Sequence, residues 1–343
     1  MNLANKYRPK TFDDVVEQDI VVSVLKKMCE TQNLPNRNFL LIGPAGTGKT
    51  TLARLVGNTL NDNKGDFIEV DAASHNGVDS VREIVNQASQ YPVGSNWKIF
   101  ILDEVHAFSS QAWQVLLKTL EDSPAKSIFF MATTNPEKIP ATILSRVQTF
   151  RLSKISTNGI INRIKYILDK ENSEGAEITY TDESISFIAK LANGGMRDAL
   201  TLTDKALSYS KDLNIENLQK ALNLSNYEDY FDLLNAYAKS DNVKISDIVD
   251  RIYNSGVNFI NWFEDFQSFI INIIKYILLQ DIHRTTIPSS YNDKVEKYTT
   301  AHSVVCLKLS NKLRDMIIAL KQTNYLQETA LLYLYRNLQG ANK

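Results

Sequence analysis

Short apolar runs alternate with segments of helical periodicity between positions 39 and 150. Each run is a continuous series of aliphatic, β-branched and aromatic residues, which is typical of parallel strands buried on both faces. The pattern predicts five strands, at Phe39–Ile42, Phe67–Val70, Ile99–Leu102, Ile128–Met131 and Thr149–Leu152. A helix is expected from Val21 to the residues before Pro35. The fold class is therefore α/β, with a parallel sheet covered by helices on both faces.

The pattern changes after residue 154, where helical periodicity continues and no strand is predicted between residues 154 and 222. In the last third, apolar residues recur at three- and four-residue steps, which indicates a buried helix face: Phe259, Trp262, Phe263, Phe266, Ile270, Ile273 and Ile277. These side chains could form the core or contacts between subunits. We predict three domains: an α/β domain over 1–155, a small helical domain over 156–222 and an all-helical domain over 223–343.

Composition places the chain among globular proteins with more than one domain. It has 343 residues, 43% hydrophobic and 22% charged, with a net charge of −1. The net charge therefore gives no indication of nucleic-acid binding. Cys29 and Cys306 are far apart, which favours neither a disulfide framework nor a zinc site. The first residues lack the apolar core of a signal peptide, and polar residues interrupt the apolar stretch 257–279. We expect a cytoplasmic protein with no membrane partner.

The strongest chemical motif follows the first predicted strand and precedes a helix. It fits the pattern G-x-x-x-x-G-K-[ST], as Gly43-Pro44-Ala45-Gly46-Thr47-Gly48-Lys49-Thr50. In such a loop the backbone N–H groups of Gly43, Ala45, Gly46, Thr47, Gly48, Lys49, Thr50 and Thr51 can surround phosphates, and the helix dipole adds positive charge. Lys49 would reach the β- and γ-phosphates, and the Thr50 hydroxyl would hold Mg²⁺. The sequence therefore predicts a site for a nucleoside triphosphate.

An acidic pair follows the third predicted strand, at Asp103 and Glu104. Ligands of parallel sheets bind at the carboxyl ends of the strands, so these carboxylates are expected beside the phosphate loop. Asp103 would hold Mg²⁺, directly or through water, and Glu104 would orient and polarise the attacking water. His106 is expected either as a packed or capping histidine or as a residue that couples elements of the site.

Further candidates depend on less specific patterns. Thr133 and Thr134 follow the fourth strand, where a hydroxyl could hydrogen-bond the γ-phosphate or the attacking water. They could also form a turn or cap before Pro136, and both could hold at once. Arg146 on a short helix could stabilise charge on a transferred phosphoryl group or form a surface ion pair.

Two cations have comparable alternatives. Arg197 begins a helix after two glycines, where a cation is unfavourable without an anionic partner, either a phosphate or Asp198. Near the N-terminus, Tyr7 and Arg8 could line a base pocket or belong to a packed arm.

These residues together resemble the bacterial clamp-loader ATPases of the AAA+ superfamily, the DNA polymerase III gamma/tau subunits. The resemblance covers residues 3–222 and is carried by Lys6-Tyr7-Arg8-Pro9, the phosphate loop, Asp71-Ala72-Ala73-Ser74-His75-Asn76-Gly77-Val78-Asp79, Asp103-Glu104-Val105-His106, Ala132-Thr133-Thr134, Lys138-Ile139-Pro140-Ala141-Thr142-Ile143-Leu144-Ser145-Arg146 and Gly194-Gly195-Met196-Arg197-Asp198-Ala199. Residues 223–343 are similar only in kind, as a helical collar. The resemblance implies an AAA+ domain, a helical lid and a collar that joins subunits.

The resemblance also implies roles for single residues in catalysis. Arg146 looks like an arginine finger that reaches the ATP of a neighbouring subunit, although Ser145-Arg146-Val147 stands where the family has Ser-Arg-Cys. Arg197 resembles the lid sensor that reads phosphate, and Thr134 the sensor of the sheet domain.

Other implied roles concern binding. Tyr7, Arg8 and Val16 are similar in position to the adenine pocket. The segment from Asn76 through Gly77 to Arg82 resembles a DNA-facing helix start, where backbone amides and one arginine contact phosphates without reading bases.

The chain departs from the family in one respect. The family carries a four-cysteine zinc module after the first helix of the sheet domain, whereas residues 58–65 lead almost directly into the next strand and contain no cysteine. No zinc is expected, as in compact phage loaders, and no tethering through a long tau-like extension is predicted.

The implied function is an ATP-driven subunit of a clamp-loader ring, expected as a pentamer with other loader subunits. It would open a sliding clamp and place it on primer-template DNA, with ATP and Mg²⁺ bound between subunits. Two rivals are weighed: an AAA+ motor of the branch-migration kind, and an ATP-binding scaffold that hardly hydrolyses. The presence of both Glu104 and Arg146 argues against a scaffold, because a scaffold needs neither.

Overall fold

A parallel sheet forms the centre of the N-terminal half of the chain. The computed structural model describes residues 2–31, 34, 36–64, 66–122, 124–222, 227–288 and 291–335. In this part the sheet has five strands in the order β2-β3-β4-β1-β5, all paired in parallel. The strands are β1 Asn38–Ile42, β2 Asp66–Asp71, β3 Lys98–Asp103, β4 Ser127–Thr133 and β5 Gln148–Arg151. The five predicted strands are confirmed, each shifted or lengthened by one or two residues.

Helices cover both faces of this sheet, as the unbroken apolar runs predicted. Alternate residues of β1 enter two different cores: Phe39 and Leu41 on one face, Leu40 and Ile42 on the other. The central strands β1, β3 and β4 are buried along almost their whole length, so they lack the alternation of a half-exposed strand. The edge strands β2 and β5 carry exposed charged residues, such as Glu69 and Arg151. The carboxyl ends of the strands remain free to carry polar groups.

The helices up to residue 209 are α1 Leu3–Lys6, α2 Asp19–Thr31, α3 Lys49–Leu60, α4 Val78–Ala88, α5 Ser110–Asp122, α6 Ala141–Leu144, α7 Thr157–Ser173, α8 Asp182–Leu191 and α9 Met196–Tyr209. Short 3₁₀ turns lie at Phe12–Asp14, Val105–Ala107 and Pro136–Lys138. Residues of α2 and α3 pack into the core with Phe39, and residues of α4 and α5 pack into the core with Leu40. The predicted end of α2, at residues 32–35, lies largely outside the described residues.

The prediction that residues 154–222 contain no strand is wrong. A two-stranded parallel sheet pairs β6, Thr179–Tyr180, with β7, Asp212–Leu213. Two-residue strands show no alternation, so their pairing depends on tertiary structure that the sequence pattern does not carry.

The described structure forms two compact units. One comprises residues 1–176 with 188–204, and the other residues 177–187 with 205–343. The three predicted domains stay a prediction, and the expected boundary at residues 222–223 falls partly on residues outside the described ones.

The second unit is mostly helical, with an aromatic-rich core. Its remaining helices are α10 Ile215–Ala221, α11 Tyr227–Lys239, α12 Asn242–Asn254, α13 Phe259–Leu279, α14 Asn292–Val295, α15 Thr300–Leu320 and α16 Leu326–Leu334, with a 3₁₀ turn at Ile282–Arg284. The predicted apolar face of α13 is buried, and α13 packs along α15. For these residues, the core alternative holds within this chain. No described helix is long and apolar enough to cross a membrane.

Candidate nucleotide-binding site

The loop between β1 and α3 has a backbone that depends on its glycines. Gly46 and Gly48 have φ angles of +71° and +105°, in the left-handed region where a Cβ is strained. Gly43 is constrained differently, because a Cβ there would lie 2.7 Å from the carbonyl oxygen of Leu152. The loop can therefore lie close to the backbone at Leu152 and can also approach a ligand closely.

Lys49 closes this loop from within. Its Nζ donates hydrogen bonds to the carbonyl oxygens of Gly43 and Pro44, both at 2.9 Å, and the residue is only 6% exposed. Burial lowers the pKa of Lys49, while the Glu104 and Asp103 carboxylates act in the opposite direction. A buried ammonium whose partners in the loop are neutral carbonyls is well suited to an anionic ligand.

Thr50 and Asp103 meet at the position predicted for the magnesium ion. Thr50 Oγ1 donates to Asp103 Oδ2 at 2.8 Å, and the residues belong to the first turn of α3 and the end of β3. Adjacent oxygen ligands of octahedral Mg²⁺ lie about 3 Å apart, since each is about 2.1 Å from the ion. No described group of three or more His, Cys, Asp or Glu side chains could hold a metal, so an ion here would need phosphate and water oxygens as well.

Glu104 is held in an unusual conformation beside this pair. Its φ angle is +49°, which costs free energy for a residue with a Cβ and persists where surrounding contacts enforce it. Glu104 Oε2 accepts from Thr134 Oγ1 at 3.1 Å, a hydroxyl that Asn135 Oδ1 shares at 2.8 Å. The same carboxylate oxygen lies 3.2 Å from His106 Nδ1. The backbone N–H of Glu104 donates to Asp103 Oδ1 at 3.0 Å. Two side chains thus contact the carboxylate, one from the end of β4 and one from the 3₁₀ turn that follows β3.

The two threonines that end β4 have different environments. Thr133 is fully buried, and its Oγ1 accepts from the backbone N–H of Asn135 at 3.0 Å and lies 3.1 Å from His106 Nδ1. Thr134 instead contacts Glu104. Thr133 therefore forms the turn contact and Thr134 contacts Glu104. A hydrogen bond from this strand end to the γ-phosphate or the attacking water stays a prediction. His106 Nδ1 lies within hydrogen-bond distance of both Thr133 Oγ1 and Glu104 Oε2, and its coupling role stays a prediction.

The turn before α9 lies directly on the phosphate loop. The backbone N–H of Met196 donates to the carbonyl oxygen of Gly46 at 3.0 Å, which brings Arg197 to the same cavity. Within the described ranges, Arg197 forms no ion pair. Asp198, its alternative partner, lies beside Gly195, where a Cβ would be 2.5 Å from Asp198 Oδ2.

One cavity contains most of the predicted nucleotide-binding residues. Its lining includes Tyr7, Arg8, Val16, Ala45, Gly46, Thr47, Gly48, Lys49, Thr50, Thr51, Asp103, Glu104 and Arg197. Gly43 and Thr134 support this lining through the contacts described above. Asp14, Ile155, Arg163 and Leu200 also line the cavity and were missed by sequence reasoning, because none belongs to a motif that implies a ligand.

Positive charge converges on this cavity. Burial lowers the pKa of the Arg8 guanidinium, and the nearby cations Arg54 and Arg197 act in the same direction. Arg54 has a carboxylate partner, Glu69, at 2.5 Å. Tyr7 is 7% exposed, so the arm both packs against the protein and forms part of the pocket wall.

Arg146 lies outside this cavity. Its guanidinium pairs with Glu121 at 2.5 Å and donates to the carbonyl oxygen of Thr142 at 2.7 Å. Within this chain it is the surface ion pair that the sequence allowed.

The predicted DNA-facing segment is also separate from the cavity. Gly77 is the N-cap residue of α4, and the carbonyl oxygen of Asn76 accepts from the backbone N–H of Ser109 at 3.2 Å. Arg82 pairs with Asp79 at 2.9 Å, with both side chains largely exposed. Exposed pairs of this kind contribute little and exchange partners readily.

Comparisons with known proteins identify the family of the chain. The profile of a family described as "DNA polymerase III, delta subunit" matches residues 61–156, and that of "DNA polymerase III clamp loader subunit, ATPase lid domain" matches residues 159–212. Over 333 residues the chain is 31% identical to DNA polymerase III subunit gamma of Buchnera aphidicola subsp. Schizaphis graminum, covering 91% of this chain and 90% of that protein. The chain belongs to the DNA polymerase III gamma/tau clamp-loader family. The predicted family is thereby confirmed, and with it the class of clamp-loader ATPases.

Other members of the family are longer than the region matched. The chain is 35% identical to DNA polymerase III subunit tau of Bacillus subtilis over 284 residues, which cover 72% of this chain and 49% of that protein. It is 31% identical to subunit gamma/tau of Mycoplasma genitalium over 301 residues, covering 81% and 49%. The chain therefore spans about half the length of these two clamp-loader relatives.

Among solved structures, the clamp-loader chain is similar in fold to an AAA+ protein of another name. Thermotoga maritima RuvB, a Holliday junction branch migration motor, has a TM-score of 0.51 and 19% identity, covering 67% of this chain and 78% of that one. At this identity the likeness shows the fold alone. The predicted AAA+ fold class is confirmed.

Proposed function

We propose that the chain is an ATP-driven clamp-loader subunit that opens a sliding clamp and places it on primer-template DNA during replication. The observation that carries this is the convergence of the phosphate loop, the acidic pair and Arg197 on one cavity, in a chain of the clamp-loader family. It would act in the cytoplasm of a bacterial or phage-infected cell, in a ring with other loader subunits, as a pentamer.

ATP with Mg²⁺ is the ligand that the residues fit. The cavity gathers Lys49, Arg8 and Arg197, and like charges so close together favour a polyanion. The hydroxyl of Thr50 and the carboxylate of Asp103 are spaced for neighbouring ligands of Mg²⁺. Bound there, the ion would neutralise charge on the phosphates. Tyr7, Arg8 and Val16 would line the wall that faces the adenine.

The catalytic assignment follows from how Glu104 is held. Its carboxylate accepts from Thr134 and lies beside His106, so its direction is set before a ligand arrives. A fixed carboxylate at this strand end would orient the attacking water and polarise it. Thr134 then acts as the sensor within the sheet domain, and Arg197 contacts the γ-phosphate from the lid.

Arg146 is proposed to act on the ATP of a neighbouring subunit. Its ion pair with Glu121 is half-exposed, so exchange of this partner for a phosphate costs little. In such a ring each site is completed by an arginine that stabilises charge on the transferred phosphoryl group.

Replacing Arg146 by alanine is expected to lower DNA-stimulated ATP hydrolysis at least about tenfold, because the transferred phosphoryl group loses this cation. ATP affinity should stay within about twofold, since Arg146 lies outside its own chain's cavity. The matched control, Glu121→Gln, breaks the same ion pair but keeps the arginine and should retain activity. Full activity of the homogeneous Arg146→Ala protein would contradict the shared site, whereas partial recovery on mixing with wild-type subunits would support it.

DNA would contact the start of α4. The backbone N–H groups at Asn76 and Gly77 and the side chain of Arg82 are proposed to follow phosphates without reading bases. Arg82 would exchange Asp79 for a DNA phosphate.

Two rival functions are disfavoured by different observations. A branch-migration motor has support only from fold similarity to RuvB at 19% identity, whereas identity to subunit gamma extends over most of the chain. A non-hydrolysing scaffold has no need of a carboxylate held as Glu104 is.

The decisive experiment is steady-state ATP hydrolysis by the full chain without DNA, with single strands and with primer-template junctions, each with and without the host's sliding clamp. We expect stimulation by the junction and a further increase with the clamp. Assembly with the host's other loader subunits serves as the positive arm. Turnover that stays indifferent to junction and clamp in the assembled complex would overturn the loading function.

A further inference from the structure

Two consecutive residues in the left-handed conformation lie between the arm that lines the cavity and helix α2. Glu17 and Gln18 have φ angles of +59° and +63°. Residues with a Cβ adopt this conformation at a cost in free energy, and it persists where surrounding contacts enforce it. Both side chains reach the hinge segment, defined as residues 153–156, which joins β5 to α7.

The contacts to the hinge segment are specific. The Glu17 carboxylate accepts from the backbone N–H of Ser156 at 3.0 Å and from its hydroxyl at 2.5 Å. The Gln18 amide pairs twice with the backbone of Ser153, donating to its carbonyl at 2.7 Å and accepting from its N–H at 3.1 Å. Ser156 is also the N-cap residue of α7 and accepts from the N–H of Gly159 at 3.0 Å. The carboxylate thus lies where the helix dipole favours negative charge.

The opposite side of the hinge segment contacts the turn that carries Arg197. The backbone N–H of Ile155 donates to the carbonyl oxygen of Gly194 at 3.1 Å, and Lys154 Nζ donates to Asn193 Oδ1 at 2.7 Å. From this turn, the Met196 N–H reaches the phosphate loop. An unbroken series of hydrogen bonds and backbone therefore leads from Glu17 to Arg197.

The same arrangement holds two walls of the cavity. Val16 precedes Glu17 and Ile155 precedes Ser156, and both line the nucleotide cavity. A contact between Glu17 and Ser156 therefore fixes the distance between these walls as well as the position of the turn.

We propose that Glu17 is a positioning residue that holds the hinge segment so that Arg197 lies against the γ-phosphate. This inference rests on the proposed binding of ATP and names a residue that regulates it. Glu17 does not touch the nucleotide. Its effect reaches the ligand through residues 153–156 and the turn at Gly194.

The test measures ATP and ADP affinities of the full chain with Mg²⁺ by isothermal titration calorimetry. Glycine tolerates φ of +59°, so Glu17→Gly removes the carboxylate and leaves the backbone preference satisfied. We expect ATP affinity to fall about fivefold more than ADP affinity, because the charge-assisted hydrogen bonds are lost and Arg197 is released from the γ-phosphate, which ADP lacks. The wall at Val16 serves both nucleotides, so its loosening should weaken both to the same extent. The ATP affinity of Glu17→Gln, which keeps an acceptor without the charge, should lie between those of the wild type and Glu17→Gly.

A second variant disturbs the same contact from the other side. A methyl group at Gly159 would lie 2.5 Å from Glu17 Oε1, so Gly159→Ala displaces the carboxylate, although alanine favours the helix. It should lower the ratio of ATP affinity to ADP affinity, as Glu17→Gly does. The midpoint temperature of thermal unfolding should stay unchanged or rise. The exposed control Glu30→Gln should behave as wild type.

If the wild-type chain binds ATP and both variants keep its ratio of ATP affinity to ADP affinity, the proposed role of Glu17 is overturned and the proposed function is not. Failure of the wild-type chain to bind ATP would overturn the proposed function and this inference with it.

Discussion

Replacement of Lys49 by alanine is expected to weaken ATP binding at least about a hundredfold and to leave hydrolysis undetectable. The variant loses a charge-assisted contact to the phosphates in a site screened from water. Lys49 is 6% exposed and lies along the phosphate loop, so its charge is held next to the place where the phosphates would bind. Calorimetric titration with ATP and Mg²⁺ measures the loss directly.

The control for this variant is a lysine of the same unit that is exposed and far from the loop. Lys27 on α2 is such a residue, and Lys27→Ala should bind ATP as the wild type does. Circular dichroism melting separates loss of binding from loss of folding. Tight ATP binding by a folded Lys49→Ala chain would show that the phosphate loop has been assigned wrongly.

Replacement of Glu104 by glutamine is expected to slow hydrolysis about a thousandfold while ATP affinity changes less than about threefold. A positioned general base contributes about 10²- to 10⁴-fold, and glutamine preserves the shape but cannot take a proton. The Thr134 hydroxyl can still donate to the amide oxygen, so the side chain should remain in place. Single-turnover hydrolysis and ATP titration on the same preparation separate chemistry from binding.

The control for the charge change is Glu83→Gln, at an exposed glutamate of α4 outside the cavity. It should hydrolyse ATP as the wild type does. A Glu104→Gln chain that hydrolyses ATP at the wild-type rate would exclude Glu104 as the general base. It would favour the hypothesis of an ATP-binding scaffold.

Local chemistry explains why the centre of the site could be predicted from the sequence. Gly46, Gly48 and Lys49 act within one loop, and the carboxyl ends of β1, β3 and β4 meet at one edge of a parallel sheet. Pattern reasoning therefore brings Thr50, Asp103 and Thr134 together without knowledge of the packing.

The parts that sequence reasoning missed depend on contacts between distant segments. Asp14 and Arg163 line the cavity, but a lone carboxylate or arginine gives no signal until its neighbours are known. The contact of Glu17 with Ser156 depends on two consecutive residues in the left-handed backbone conformation, which no sequence motif predicts. Two interpretations of His106 stayed open because its neighbour Thr133 lies on β4, far from it in the sequence.

The strand order has a consequence for biosynthesis. The central strand that feeds the phosphate loop pairs Asn38 with Phe129 and Phe39 with Gln148, so its neighbours on both sides are translated much later. Pairing of such distant segments is slow and leaves apolar edges uncovered in the meantime. Until the chain through Leu152 has emerged from the ribosome, the sheet that supports the phosphate loop is incomplete. A nascent chain arrested before this point should therefore be unable to retain ATP and should be a substrate for chaperones.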